Sequence, residues 1–296
     1  MPRAKQYPQG MINWAQLDEI KRIAIQALVS DDELMETLVL KGGNALDLIH
    51  GIAQRGSFDL DFSIETCFDE SGLPEIEQRI RRLIERTFSD KGYTVFDVTF
   101  CKRPKHLRAE LEGFWGGYQV EFKLMRTDNY EMLKDDIGAL RRESLVVGEN
   151  GSTRLRVEIS CHECCAATEE REVGGFVVRV YTPTLIAIEK LRAICQHTNE
   201  YRNDVLQSTV DARTEPSARA RDFFDIYTIL TTLGIDLLRD ENRKLLANVF
   251  AVKKVPVTYL RNLEPYREVH RQDFAAVRDT LKPGVELESF DFYFDF

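Results

Sequence analysis

Hydrophobic residues recur along this chain with two different spacings, and these spacings predict a sheet-containing region followed by a helical one. Between residues 12 and 180, helical repeats are interleaved with short runs in which apolar and polar residues alternate, as they do in strands. After residue 182 only the helical spacing recurs. The pattern predicts an α+β fold with two domains, a sheet domain at residues 1–182 and a helical domain at residues 183–296.

The first region is expected to form a mixed sheet of about six strands with flanking helices. Its helices are predicted at residues 12–29, 31–36, 44–50, 74–91 and 131–142. Its strands are predicted at residues 38–40, 58–64, 93–100, 154–160 and 176–180, with a hairpin formed by 107–111 and 118–124.

The second region is expected to be helical throughout, apart from one polar stretch at residues 199–216 that is either a loop or a frayed extension. Its helices are predicted at residues 184–196, 218–233, 241–251, 257–263 and 267–281. The aromatic and acidic tail at residues 290–296 should pack on the body of the protein or on a neighbouring subunit, because that many exposed rings are unfavourable in water.

Two aspartates lie in the middle of the strand predicted at residues 58–64. Side chains alternate along a strand, so Phe58 and Phe62 point to one face and Asp59 and Asp61 to the other. Neighbouring carboxylates repel each other, and a divalent cation between them removes that cost. Carboxylates at this spacing suit a two-metal site. The pair therefore indicates metal-assisted phosphoryl or nucleotidyl transfer, with a solvated strand face as the alternative.

A glycine pair precedes these acids. Gly42 and Gly43 follow a buried strand and open a short helix, where backbone N–H groups and the positive end of the helix can hold phosphate. Adjacent glycines also mark ordinary tight turns, and the Walker pattern G-x-x-x-x-G-K-[ST] does not occur. The turn supports phosphate binding only in combination with the acids that follow it.

Composition narrows the class of protein. With 43% apolar and 30% charged residues the composition is typical of a globular protein. No apolar run approaches the length of a membrane span, and the N-terminus lacks an apolar signal core. A formal charge of -9 argues against wholesale wrapping of nucleic acid but allows a local basic groove. Six unevenly spaced cysteines favour a cytoplasmic protein with reduced thiols, including the cluster at residues 161–165, over a disulfide frame or a zinc site.

Two separate blocks of residues resemble a known enzyme family. A strand, Gly-Gly, a helix and Asp-x-Asp on the next strand form the layout of polymerase-β-type nucleotidyltransferases. In detail the chain resembles the AbiEii/AbiGii (MenT-like) nucleotidyltransferase toxins of type IV toxin–antitoxin and phage-defence systems. The first block is Lys41-Gly42-Gly43-x-Ala45-Leu46 with Arg55-x-Ser57-x-Asp59-Leu60-Asp61-Phe62, and the second is Glu189-Lys190-Leu191-Arg192-Ala193 with Arg219-x-Arg221-Asp222-Phe223-Phe224-Asp225-Ile226-Tyr227.

The resemblance implies a polymerase-β-like fold whose site binds an NTP and Mg²⁺ or Mn²⁺. It would set the glycine pair over the triphosphate and place Asp59 and Asp61 on the metal. A third carboxylate is expected on a neighbouring strand, where it would also orient or deprotonate the attacking hydroxyl. Glu158 and Glu121 are both flanked by apolar residues of a strand. Glu158 is preferred because the family tends to have an acid shortly before the helix of the second block.

Residues of the second block should close over the nucleotide. Lys190 is expected to contact its phosphates as a point charge, or otherwise to pair with a nearby acid. Asp222 and Asp225 lie three residues apart on one helix face, where they either form buried ion pairs or border the nucleotide.

Three more residues flank the core motifs and complete the expected nucleotide site. Arg55 and Ser57 are expected to meet phosphate, although Arg55 is equally suited to a structural ion pair. Lys41 lies at the mouth of the glycine turn and adds positive potential.

The expected reaction is Mg²⁺-dependent transfer of a nucleoside monophosphate from an NTP to RNA, with a tRNA 3′ end as the acceptor implied by the family. Growth inhibition and an antitoxin partner follow from the same resemblance. Candidate RNA-binding surfaces are the basic run at residues 102–108 and the arginine face of the helix at 74–91. The alternatives are a non-catalytic nucleotide- or RNA-binding protein of the same fold and a transferase or kinase that modifies protein.

Overall fold

A seven-stranded mixed sheet forms the centre of the protein in a computed structural model that describes residues 13–207 and 217–296. The strands follow the order β3-β4-β5-β2-β1-β7-β6. In chain order they are β1 (Val39–Lys41), β2 (Leu60–Ser63), β3 (Tyr93–Lys102), β4 (Gly117–Arg126), β5 (Leu155–Ser160), β6 (Thr168–Val173) and β7 (Phe176–Tyr181). The central strands are short and buried, which is typical of strands with a layer of helices on each face.

Helices cover the sheet and build the C-terminal part. They are α1 (Trp14–Val29), α2 (Asp32–Thr37), α3 (Gly42–Asn44), α4 (Leu73–Asp90), α5 (Thr127–Leu133), α6 (Ile137–Arg142), α7 (Pro183–Gln196), α8 (Ala220–Leu233), α9 (Asp240–Val252), α10 (Arg267–Gln272), α11 (Phe274–Arg278) and α12 (Phe290–Asp295). Single π-helical turns lie at Ala45–Ile49 and Tyr201–Val205. None of these helices is long and apolar enough to span a bilayer in the two described ranges.

The two faces of the sheet differ in chemistry. Leu60 and Phe62 of β2 are fully buried on the face that packs against α1 and α4. On the same face Phe88 of α4 meets Phe122 of β4, with ring centroids 5.4 Å apart. Asp61 points the other way, toward α7 and α8. The alternation expected of this strand thus directs its acids away from the core.

Most predicted elements are present, and the exceptions have local causes. The predicted strand at 107–111 is wrong, because β3 continues to Lys102 and pairs directly with β4, which leaves residues 103–116 as the connecting loop. The predicted helix at 131–142 is two helices, because Asp136 caps a new one by accepting from the N–H of Ala139. Strand β6 was not predicted, because its largely charged sequence is that of an edge strand.

The C-terminal part is helical as expected, with shorter pieces. The helix predicted at 267–281 is divided into α10 and α11, and that predicted at 257–263 is a 3₁₀ helix at Val257–Asn262. The aromatic tail packs on the body of the protein, which is one of the two outcomes expected for it. Helix α12 lies against α8, and the ring centroids of Phe223 and Phe294 are 5.2 Å apart in a stacked arrangement. The polar stretch at 199–216 and the helix start at residue 12 fall partly outside the described residues.

The predicted division at residue 182 falls between β7 and α7. One main cluster of buried side chains nevertheless runs from Leu17 to Tyr259, and a smaller one joins α8 to α11 and α12. Two separate domains therefore stay a prediction.

The expectation of reduced thiols is wrong for one pair of cysteines. Cys67 and Cys161 form a disulfide, with Cα atoms 5.1 Å apart. The pairing arises because Cys67 follows β2 and Cys161 follows the adjacent parallel strand β5. Cys164, Cys165 and Cys195 are buried free thiols.

A glycine fixes how closely β4 approaches β5. A Cβ atom on Gly117 would lie 2.3 Å from the carbonyl oxygen of Ile159, which is backbone and cannot rotate away. We expect Gly117→Ala to lower the free energy of unfolding by about 1–3 kcal/mol, as overpacking does. Urea denaturation measures the loss. Gly72→Ala is the matched control, because its Cβ atom would meet nothing within 4 Å. Equal midpoints for the two variants would contradict this account.

Candidate active site

Strand pairing sets two carboxylates side by side. In the parallel pair β2–β5, Asp61 lies directly opposite Glu158, and in the antiparallel pair β1–β2 it lies opposite Lys41. Residues opposite each other in a sheet share a face, so a row runs across the sheet from Lys41 through Asp61 and Glu158 to Gln119. Asp59 lies just before β2 and two residues from Asp61, next to this row.

The geometry distinguishes the two candidates for a third carboxylate. Glu121 lies opposite Arg156 rather than Asp61. Its oxygens are 3.2 Å from Arg156 Nε and 3.5 Å from Arg154 Nη1. Glu158 therefore lies next to Asp61, whereas Glu121 is occupied by two arginines, which supports the preference stated from the sequence.

The glycine turn lies against the acids. Gly42 has φ of +73°, a left-handed conformation that favours glycine. A Cβ atom there would lie 2.5 Å from Asp61 Oδ2, and one on Gly43 would lie 2.8 Å from Ser57 Cβ. Both positions require glycine because the turn must approach the acidic strand this closely.

A buried lysine ties the turn to the acidic segment. Lys21 of α1 is fully buried and donates to Asn44 Oδ1 at 2.8 Å and to the Ser57 carbonyl at 3.0 Å. Asn44 in turn donates to the Asp59 carbonyl at 2.6 Å. Sequence reasoning missed both residues. Lys21 lies among apolar residues at helical spacing, and a cation on the buried face of a helix is the signal that marks it.

One cavity collects the predicted residues. It has a volume of about 480 Å³ and lies between the sheet, α7 and α8. All of the predicted site residues line it, namely Lys41, Gly42, Gly43, Arg55, Ser57, Asp59, Asp61, Glu158, Lys190 and Asp222. Their individual roles stay predictions. Arg219, Arg221 and Asp273 also line it, and of these the two arginines already stood in the second sequence block.

On one side of the cavity, five charged groups join the segment before β2 to the helices. Arg55 is buried and donates to both oxygens of Asp225, at 2.8 and 2.6 Å. Lys190 Nζ lies 2.7 Å from Asp225 and 2.8 Å from Asp222, to which Arg219 also donates. Asp225 is thereby shared between a residue that precedes β2 and one on α7. Arg55 and Lys190 thus form the ion pairs named as their alternative roles.

The ionised state of these groups is favoured over the neutral one. Burial alone would raise the pKa of Asp222, but Arg219 and Lys190 outweigh burial and hold it far below its usual value. Burial likewise lowers the pKa of Lys190, and Asp222 and Asp225 more than reverse that effect. Breaking such a pair from one side leaves an uncompensated buried charge, which is strongly destabilising.

A second buried network surrounds Glu163. Its carboxylate lies 3.2 Å from Lys253, 3.3 Å from Arg192 and 3.5 Å from Lys41. These three cations overcome the effect of burial and lower the pKa of Glu163 to about 2. In the sequence Glu163 stood inside the cysteine–histidine cluster considered for zinc. It instead holds Lys41 at the mouth of the glycine turn.

Asp61 and Asp59 have no comparable set of cations to offset the effect of their burial. Burial, followed by the charge of Glu158, raises the pKa of Asp61 to about 7. Burial also raises the pKa of Asp59, although Arg156, whose Nη1 lies 3.7 Å from Asp59 Oδ2, opposes the shift. The cavity therefore keeps an excess of negative charge at Asp61 and Glu158.

These residues suit a divalent cation by chemistry. Carboxylate oxygens are the ligands that Mg²⁺ prefers, and Mg²⁺ uses only one or two of them beside substrate phosphates. No group of three or more His, Cys, Asp or Glu side chains within residues 13–207 and 217–296 is placed to hold a metal ion by itself, so a metal site at Asp59, Asp61 and Glu158 stays a prediction.

Comparison with known proteins identifies the protein as a nucleotidyltransferase. The family model described as "Nucleotidyl transferase AbiEii toxin, Type IV TA system" matches residues 24–296, and the chain belongs to this family. Membership confirms the resemblance drawn from the two sequence blocks.

Other comparisons add distant structural matches. A protein from H. pylori described as a nucleotidyltransferase is 17% identical, with a TM-score of 0.39, over 86% of this chain and 99% of that one. A nucleotidyltransferase-like antigenic protein from Paracoccidioides brasiliensis is 14% identical, with a TM-score of 0.35, over 83% and 93%. The Megavirus polyadenylate synthase is 13% identical, with a TM-score of 0.30, over 79% and 41%. Curated proteins give no significant match.

The raised pKa of Asp61 predicts an unusual pH dependence of stability. Between pH of about 4 and about 7 the folded protein binds a proton at Asp61 that the unfolded chain releases, so stability without metal declines as the pH rises through this window. Asp61→Asn removes the decline. We expect the variant to melt at a higher temperature than the wild type at pH of about 8 in EDTA, and at the same temperature near pH 4.

The matched control for this measurement is Glu121→Gln. It removes a carboxylate from the same face of the sheet, but one that is paired with two arginines. It should therefore give no gain in melting temperature at pH of about 8. A lower melting temperature for Asp61→Asn than for the wild type at that pH would refute the electrostatic description of the cavity.

Proposed function

We propose that the protein transfers a nucleoside monophosphate from an NTP to the terminal hydroxyl of an RNA, with a tRNA 3′ end as the acceptor, in an Mg²⁺-dependent reaction. The observation that carries this proposal is that Asp61 of β2 lies opposite Glu158 of β5, with the glycine turn packed against Asp61. It combines oxygen ligands with a backbone that accommodates phosphate in one cavity.

In this reaction the acceptor oxygen attacks the α-phosphorus of the NTP. A new P–O bond forms to the acceptor, the bond to the β-phosphate oxygen breaks, and pyrophosphate leaves. Glu158 accepts the proton of the acceptor hydroxyl, and it is exposed on the cavity side, where a hydroxyl reaches it. Asp59, Asp61 and Glu158 are the groups that would hold Mg²⁺ or Mn²⁺, which when bound supplies charge neutralisation at the phosphates.

The remaining cavity residues bind and orient the triphosphate. Gly42 and Gly43 present backbone N–H groups to it, and Ser57 adds a hydroxyl donor. Lys41 supplies positive potential from the position that Glu163 fixes. Lys190, Arg55 and Asp222 border the nucleotide while holding the cavity wall in place through their ion pairs.

The biological setting follows from the family. We propose that the protein acts in the cytoplasm, inhibits growth by modifying RNA, contributes to phage defence and is counteracted by a cognate antitoxin protein. Protein modification by the same cavity is the competing outcome, and it is distinguished by where the nucleotide label ends.

Transfer of label tests both the reaction and the assigned residues. We expect α-labelled NTP, total RNA and Mg²⁺ to give labelled RNA with the wild-type protein. Asp61→Ala should reduce the rate at least about 100-fold, because several kcal/mol of charge stabilisation depend on the metal site. Glu158→Gln should also lose activity, whereas Glu121→Gln should remain close to the wild type.

Three results would contradict the proposal. Label on protein alone would mean a protein-modifying enzyme. Activity that survives Asp61→Ala would remove the assigned metal site. Equal losses for Glu121→Gln and Glu158→Gln would remove the distinction between these two carboxylates.

A further inference from the structure

We propose that the single-stranded end of the acceptor RNA reaches the active site along a groove between the β3–β4 loop and β5, with Arg103 and Lys105 as its main phosphate contacts. This inference rests on the proposed function and assigns a surface to its acceptor. It is carried by the way the clefts of the molecule join one another.

Three clefts share their walls and form one path. The catalytic cavity and a neighbouring cleft of about 260 Å³ share Glu158 and Ser160. That cleft and a third one of about 400 Å³ share Arg103 and Tyr118. A ligand lying in the third cleft can therefore extend to Glu158 without leaving the surface groove.

The inner end of the path coincides with the proposed proton acceptor. Glu158 separates the catalytic cavity from the groove, and Gln119 lies directly opposite it on β4. Arg103 donates through Nε to Gln119 Oε1. The groove thus begins at the carboxylate where an acceptor hydroxyl has to arrive, and a cation stands beside that point.

The outer end of the path combines cations with aromatic rings. Arg103, Lys105 and His106 are exposed on the loop. The rings of Phe68 and Trp115 line the same cleft and are half-buried, so each keeps accessible surface. Cations that follow a backbone and rings on which bases stack are the two elements of single-strand binding.

The ion pairs around the β3–β4 loop show which of its cations can contact phosphate. Lys102 pairs with Glu70, so its charge is largely satisfied within the protein. Lys105 forms no ion pair with any residue in the described part of the chain. Glu112 also borders the cleft. Counting residues 103–116, three cations (Arg103, Lys105 and Arg108) face two acids (Glu110 and Glu112), so the loop carries a net charge of +1 on a protein whose formal net charge is -9.

The groove has a length that suits a short single strand. Glu158 lies on β5, and the loop leaves β3, which is two strands away. Adjacent strands are about 4.8 Å apart, so the backbone of β3, from which the loop starts, lies about 10 Å from the backbone of β5. This distance corresponds to about three stacked nucleotides at about 3.4 Å each.

The other basic surface named from the sequence does not connect to this path. Helix α4 packs through Phe88 on Phe122 of β4, on the face of the sheet opposite Glu158. Arg79 of that helix is paired with Glu33 and Glu75. Arg82 and Arg86 are exposed, which makes them a matched control surface of equal charge.

The test measures binding and transfer separately on the full-length protein. A fluorescent hairpin RNA with a single-stranded 3′ end is titrated with wild type, Arg103→Ala/Lys105→Ala and Arg82→Ala/Arg86→Ala, and binding is followed by anisotropy. We expect the loop variant to raise Kd at least about tenfold and to lower the slope of log K against log salt by about 1.4, because two phosphate contacts are lost. The α4 variant should stay within about twofold of the wild type.

Further measurements distinguish a loss of RNA binding from misfolding and from a loss of catalysis. Unchanged melting temperatures exclude misfolding, and Lys105→Arg should restore the binding that Lys105→Ala loses. A blunt hairpin without the 3′ overhang should bind wild type and loop variant equally. Equal losses in the loop and α4 variants, or an equal loss on the blunt hairpin, would overturn the groove. Loop-dependent RNA binding without nucleotide transfer by the wild type would instead refute the proposed function and leave the groove standing.

Discussion

The parallel pairing of β2 with β5 is the constraint on which the site depends. It brings Asp61 next to Glu158, so two carboxylates share one face of the sheet, and neither forms an ion pair with any residue in 13–207 or 217–296. Burial makes this arrangement unfavourable and raises the pKa of Asp61 to about 7. A protein retains such a cost where charge from a ligand is to be added, and the cavity of about 480 Å³ that Asp61 lines has room for that ligand.

The other charges of the cavity are organised in the opposite way. Asp222, Asp225 and Glu163 are buried with enough lysine and arginine partners to keep them ionised. They connect parts of the chain that are far apart in sequence: Arg55 precedes β2, Lys190 lies on α7, and Asp225 lies on α8. Asp222, Asp225 and Glu163 are therefore neutralised by lysines and arginines, whereas Asp61 and Glu158 on the sheet are not. This contrast separates acids whose charges are paired within the protein from the carboxylates that we propose as metal ligands.

Sequence reasoning reached the residues of the cavity because their spacing carries the information. Alternation along residues 58–62 sets the acids on one face, and the glycine pair needs only local geometry to be recognised. Contacts between elements that are distant in the sequence could not be predicted in this way. The choice between Glu158 and Glu121 depends on strand register. The partners of Lys190 depend on how α7 packs against α8. Lys21 and Glu163 were missed for the same reason, since their partners lie on other elements. The strand proposed at 107–111 failed because its pattern of apolar residues does not show which strand pairs with β4.

The packing of α12 has a consequence for the cavity wall. Its rings lie on the far side of α8, where Phe294 stacks on Phe223 and Phe296 meets Tyr227. Asp222 and Asp225 project from the same helix toward Lys190, which lines the cavity. Helix α8 is thus held by aromatic contacts with α12 on one side and by ion pairs with Lys190 and Arg55 on the other. Because the rings and the acids contact the same helix, we expect a change that loosens the ring contacts to shift Asp222 and Asp225 as well.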